Sequence, residues 1–98
     1  MTITATTRWK GGEASAMADA ARKARPILAK YGTECLLGRL HTGSAVGDWL
    51  FVTRYADWTA YAKCQDGMAA DAEWQALLAR VRGMAQQMDR DIVVGVDL

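Results

Sequence analysis

The chain has 98 residues and a net charge of +1, with 51% hydrophobic and 23% charged side chains. That balance excludes a disordered chain and gives no electrostatic basis for binding a polyanion or an anionic membrane surface. The length fits one domain over residues 1–98, able to bury roughly 60–65% of its unfolded surface around a modest core.

Residues 2–9, TITATTRW, are rich in β-branched side chains and predict a first strand. Gly11 and Gly12 end it. From Glu13 to Tyr31 the apolar positions Ala14, Met17, Ala21, Ala24, Leu28 and Tyr31 recur at steps of three and four, which is one face of a helix. Pro26 falls inside that pattern and predicts a kink or break near Ala24 or Arg25. Gly32 is the expected C-terminal cap. Residues 34–41, ECLLGRLH, predict a second strand, and residues 48–55, DWLFVTRY, a third. The glycine-bearing turn TGSAVG joins them into an antiparallel hairpin. Asp57 can cap a helix that starts at Trp58, and Gly67 is expected to interrupt it. Asp71 can cap the next segment, where Trp74, Leu77, Leu78, Val81, Met84, Ala85 and Met88 form an apolar stripe. Residues 91–98, DIVVGVDL, predict the last strand.

The order β-α-β-β-α-β is the ferredoxin-like α+β arrangement. Right-handed crossovers place the first and third strands at the centre of a four-stranded antiparallel sheet, with the helices on one face. Both faces of the sheet read as apolar. Trp49 and Phe51 oppose Leu50 and Val52, Leu36 and Leu40 oppose Leu37, and Ile92, Val94 and Val96 oppose Val93. Helices on one side cannot cover both faces, so a second copy of the chain is the expected cover and the protein is expected to be a homodimer.

The element order, the PILAKYG end of the first helix, the GDWLFVTRYAD passage and the DAEWQALLARV segment resemble dimeric α/β-barrel proteins. That superfamily includes the antibiotic-biosynthesis monooxygenase-like and NIPSNAP-like groups. The resemblance covers essentially the whole chain. It implies two sheets facing each other around a barrel, with a pocket inside the barrel or between each sheet and its helices. The activities it implies range from cofactor-free oxygenation of aromatic substrates through lactone isomerisation to haem degradation, and some members have no known activity. Fold alone does not choose among them.

Residues 47–68 hold five of the eight aromatic side chains: Trp49, Phe51, Tyr55, Trp58 and Tyr61. Core, a nucleic-acid stacking platform and a pocket wall are the competing readings. An RNA-recognition pattern requires a basic residue and glycine where Gly47 and Asp48 stand, and a ring where Arg54 stands. It also needs a basic rim, which the near-neutral composition lacks, so nucleic acid is not an expected partner. Trp58, Tyr61 and Trp74 have helical spacing toward the sheet and read as core. Trp49, Phe51 and Tyr55 share one face of the third strand and are the expected wall for a small apolar or aromatic ligand. If that face points away from the helices, they line the barrel interior. His41 and Arg39 share a face at the end of the second strand. If His41 pairs opposite Trp49, Arg39 stands beside Phe51, and the two become catalytic candidates, His41 for proton transfer and Arg39 for stabilising an anion. Their plainer readings are a surface histidine beside a turn and a solvated strand charge. Arg8 and Arg54 could supply further cations at strand ends.

No export signal or membrane-length apolar run is evident, so a cytoplasmic location is expected, with Cys35 and Cys64 as free thiols. One histidine and two scattered cysteines predict no metal site. Haem-degrading proteins of the resembling group hold iron through a histidine on the second helix, and residues 57–88 contain none, so no haem or other cofactor is expected. The functional expectation is a cofactor-free monooxygenase or isomerase acting on an aromatic or polyketide-like compound. The rival is a non-catalytic module that binds a small molecule or assembles only with itself.

Overall fold

The computed structural model describes all residues from 1 to 98, in the order β1 (Ile3–Lys10), α1 (Ala14–Ala29), β2 (Glu34–Arg39), β3 (Trp49–Tyr55), α2 (Trp58–Ala69), α3 (Ala72–Met84) and β4 (Gln86–Val94). The strands form one antiparallel sheet in the order β2-β3-β1-β4, with β1 and β3 central. This is the ferredoxin-like α+β fold.

Alternation along β1 sets the layers. Ile3, Ala5, Thr7 and Trp9 are buried, while Thr4, Thr6 and Arg8 are only partly so. Ile3, Ala5 and Tyr55 pack with Ala24 and Leu28 of α1 and with Cys64 and Met68 of α2. Trp9 and Trp49 pack with Met17 of α1 and with Ala85, just beyond α3. The helices therefore cover the face that carries Trp49, Phe51 and Tyr55. Asp57 and Asp71 cap α2 and α3 as expected, accepting from the backbone N–H groups of Ala60 at 2.8 Å and Trp74 at 3.0 Å.

Several expectations are corrected. α1 runs unbroken through Pro26, whose exposed position lets water reach the carbonyl left without a donor. Gly67 does not interrupt α2. The helix passes through it and ends at Ala69. A Cβ at Gly67 would lie 2.3 Å from Cε1 of Tyr31, so the glycine permits close packing of a ring against the helix backbone. The last strand spans Gln86–Val94, not residues 91–98, and Met88 belongs to that strand and not to the helical stripe. The QQMDR segment has weak β propensity, and pairing with β1 overrides it. Trp58 is not core. It is 46% exposed and meets Tyr61 edge-on, with ring centroids 5.7 Å apart.

The hairpin register also differs from expectation. Arg39 pairs with Trp49 and Leu37 with Phe51, leaving His41 beyond β2. The difference is two residues, so every side chain keeps its face.

The opposite face carries no helix. Leu36, Leu50, Val52 and Val93 lie on it with Thr4 and Thr6, and Leu36 is 63% exposed. An ionic cluster tops this face. Arg8 donates to Asp48 and to Asp89, each at 2.5 Å. These carboxylates hold the guanidinium in its charged form, its pKa raised chiefly by the Asp89 hydrogen bond and then by that of Asp48.

Candidate ligand cavity between the sheet and the helices

A cavity of about 260 Å³ lies between the sheet and the helices. Its existence follows from side-chain size. Ala20, Ala21 and Ala24 turn only methyl groups toward the sheet from α1, so the helix cannot fill the space beneath it. The floor comes from alternate positions of the strands, including Thr7 and Trp9 of β1, Leu37 of β2 and Phe51, Thr53 and Tyr55 of β3. The far wall is α3, whose Trp74, Leu77, Leu78 and Val81 face the space. None of the residues of α3 is fully buried. Its apolar stripe packs at the edges of the two core clusters and also faces the cavity.

Few polar groups reach this apolar space. The Tyr55 hydroxyl donates to Thr53 Oγ1 at 3.0 Å and accepts from Gln65 Nε2 at 3.4 Å. Burial pushes the Tyr55 phenol up to about 12, so it is a neutral hydrogen-bonding group at physiological pH and not a base. Arg90 Nη1 donates to Thr7 Oγ1 at 3.2 Å. Arg82, in the last turn of α3, and Gln87 complete the polar lining with Arg90. The lining contains no histidine and no carboxylate. No cluster of three His, Cys, Asp or Glu side chains that could hold a metal ion occurs in the chain.

The site residues expected from the sequence separate here. Phe51 and Tyr55 line the cavity. Trp49 does not. It packs in the neighbouring cluster with Trp9, Met17 and Ala85, and its indole N–H is buried without a hydrogen-bond partner. The Arg39 guanidinium lies 4.6 Å from the Trp49 ring centroid, while its Nε donates to the Gly47 carbonyl at 3.1 Å. His41 is exposed in the turn that follows β2. Neither Arg39 nor His41 lines the cavity. Arg54 is exposed on the helix-free face. Cys35 and Cys64 are free thiols, and burial raises the Cys35 pKa. Sequence reasoning missed Thr7, Gln65, Arg82, Gln87 and Arg90. The one available signal was the alternation in TITATTRW, which puts Thr7 on the same face as Ile3 and Trp9.

No family model and no curated protein matches the chain. Solved structures do. A NIPSNAP family protein from Agrobacterium tumefaciens superimposes with a TM-score of 0.71 at 17% identity, covering 99% of this chain and 95% of that one. An uncharacterised NIPSNAP domain protein from Burkholderia xenovorans gives 0.69 at 18% identity, covering 98% and 95%. SnoaB, a cofactor-independent oxygenase from Streptomyces nogalater, gives 0.69 at 14% identity, covering 99% and 95%. At these identities the likeness is one of fold, and it agrees with the architecture expected from the sequence. No helix is long and apolar enough to cross a membrane.

Proposed function

We propose that the chain binds a small, largely apolar molecule in the cavity between its sheet and helices, and does so as a homodimer formed across the helix-free face. The observation that carries the ligand reading is the cavity itself, walled by Phe51, Tyr55 and a helix with no fully buried residue. A wholly enclosed void of that volume would cost about 6 kcal/mol at about 24 cal/mol per Å³. Water entering at the mouth reduces that cost, and an apolar ligand would reduce it further. Phe51 and Tyr55 supply ring faces for offset or edge contacts, and Tyr55 and Gln65 supply hydrogen bonds that would fix orientation.

The dimer is supported by the exposed apolar groups Leu36 and Val93 on the open face and by β4, every residue of which is exposed in the single chain. Light scattering after size exclusion is expected to give twice the 10.7 kDa chain mass. A monomer at micromolar concentration would overturn that part. The ligand reading is tested by heteronuclear NMR titration with neutral aryl alcohols such as 2-naphthalenemethanol. Saturable shifts at Phe51, Thr53 and Leu77 are expected, and their absence for a panel of one- and two-ring compounds would refute it.

Cofactor-free oxygenation is the second reading, favoured by the fold shared with SnoaB along nearly the whole chain. It keeps His41 and Arg39 as the candidate catalytic pair and a cytoplasmic setting, to which the two free thiols are suited. Oxygen uptake with naphthalene hydroquinones, compared between the native chain and His41→Ala, tests it. Uptake no faster than in buffer would dismiss it.

A further inference from the structure

Asp89, Arg90 and Asp91 follow one another on β4, and they divide between the two faces of the sheet. Asp89 pairs with Arg8 and Asp91 with Thr6, both on the helix-free face, whereas Arg90 pairs with Thr7 on the cavity side. The register shifts between Arg8 and Trp9, so that Asp89 and Gln87 pair with consecutive residues of β1 and Met88 is left over as a bulge. Gln87 and Arg90 are three residues apart and would face opposite ways on a regular strand. The bulge brings both to the cavity. Arg82 reaches the same rim from the last turn of α3.

These guanidinium groups lack anionic partners. The chain's ion pairs involve Arg8, Arg22 and Lys30, and no carboxylate lies within 4.0 Å of Arg82 or Arg90. Asp89 and Asp91, the acids on either side of Arg90 in sequence, both lie on the other face, where Asp89 is committed to Arg8. The Thr7 hydroxyl accepts from one Arg90 N–H and directs the side chain, leaving the other donors of the fork available. A largely apolar cavity, whose other polar groups are neutral hydroxyls and amides, thus has two cations, Arg82 and Arg90, and no acid in its lining.

We infer that the cavity takes an apolar monocarboxylate. Its body lies between Phe51 and α3, and its carboxylate sits at the rim against Arg90, with Arg82 as the second cation. The planar guanidinium matches a carboxylate through paired N–H···O bonds, which a neutral head group cannot make equally strong. At an interior packing density of about 0.74, the cavity holds roughly 190 Å³ of ligand, a body of roughly one or two rings. This inference rests on the cavity reading above and adds the charge of the ligand.

The test is an NMR titration of the full chain with 2-naphthoate and with its neutral counterpart 2-naphthamide, followed at the backbone amides of Thr7, Phe51 and Arg90. The carboxylate is expected to bind at least about tenfold more tightly than the amide, and less so as salt rises. Arg90→Gln should weaken 2-naphthoate far more than 2-naphthamide and so remove the preference for the carboxylate. Arg90→Lys should restore part of the preference, and Arg54→Gln, on the opposite face, should leave it intact. Equal affinities for the two compounds in the native chain, or a preference that survives Arg90→Gln, would overturn the carboxylate inference while leaving the cavity reading in place. Failure of both compounds to shift any cavity residue would overturn the two together.

Discussion

Ala24→Leu separates a ligand cavity from ordinary core. Ala24 is 4% exposed, packs with Leu28, Tyr55 and Met68, and lines the cavity from α1. Leucine adds about three carbons, each worth roughly 0.8 kcal/mol when taken from water into an apolar site. Ordering the longer side chain costs about 0.5–1 kcal/mol. The cavity has room for the addition, so a net gain of about 1.5 kcal/mol is expected. For a chain of this length that corresponds to a rise in Tm of roughly 6–12 °C. Thermal unfolding followed by far-UV circular dichroism reads the stability, and an NMR titration with 2-naphthalenemethanol reads the site. The variant should be more stable and bind at least about tenfold more weakly. Were the region already well packed, the same substitution would overpack it and cost about 1–3 kcal/mol. A lowered Tm with ligand affinity unchanged would therefore refute the reasoning.

Three other substitutions probe the groups around the cavity. Gly67→Ala should destabilise by about 1–3 kcal/mol despite alanine's better helix propensity, because its Cβ would strike a Tyr31 ring whose hydroxyl is anchored on Asp71 at 2.6 Å. A denaturant melt that finds the variant equal to or more stable than the native chain would contradict that packing. Asp71 accepts from Lys30 at 2.7 Å and from Tyr31, and these bonds, the Lys30 one first, hold its carboxyl well below the usual range. A lowered folded-state pKa means that the stability is present above the unfolded value of about 3.9 and is lost as pH falls through and below it. Melts from pH 7 to pH 2 should show Asp71→Asn losing less stability than the native chain over the acid limb, and parallel curves would count against the cluster. Trp49→Phe should cost less than about 1.5 kcal/mol, since it discards a buried indole N–H that has no partner along with the apolar area it loses. A loss above about 3 kcal/mol in the same melt would mean that the N–H is satisfied after all.

The fold was legible where periodicity and packing agree. β1 combines β-branched side chains with strict alternation, and it was placed within one residue of its observed span. α1 was recognisable from its apolar face, although Pro26 suggested an interruption that its exposed position does not require. Gly67 illustrates the limit of local reading. Its helix-breaking tendency was plain, but the reason for the glycine is a ring 36 residues earlier in the chain. No local signal carries that contact. The split between α2 and α3 falls instead at Ala70, where Asp71 supplies a new cap.

The site was legible only in part, for a related reason. That Trp49, Phe51 and Tyr55 share a face follows from strand alternation alone. Which layer that face meets depends on where the helices return, and the structure turns it toward them. The opposite face then reads as open because Leu36, Val52 and Val93 remain partly or wholly exposed. β4 shows the same dependence more strongly. Gln86 to Asp91 is polar apart from Met88, lacks β-branched residues, and continues the i, i+4 spacing of Met84 and Met88, so helix is the better local inference. Pairing with β1 overrules that preference, and the bulge at Met88 then decides which polar groups face inward. A segment whose local signals disagree with its final state is where functional constraint is expected to concentrate. Here it carries Gln87 and Arg90 to the rim of the cavity and Asp89 to the other face, a distribution that no regular strand of this sequence would produce.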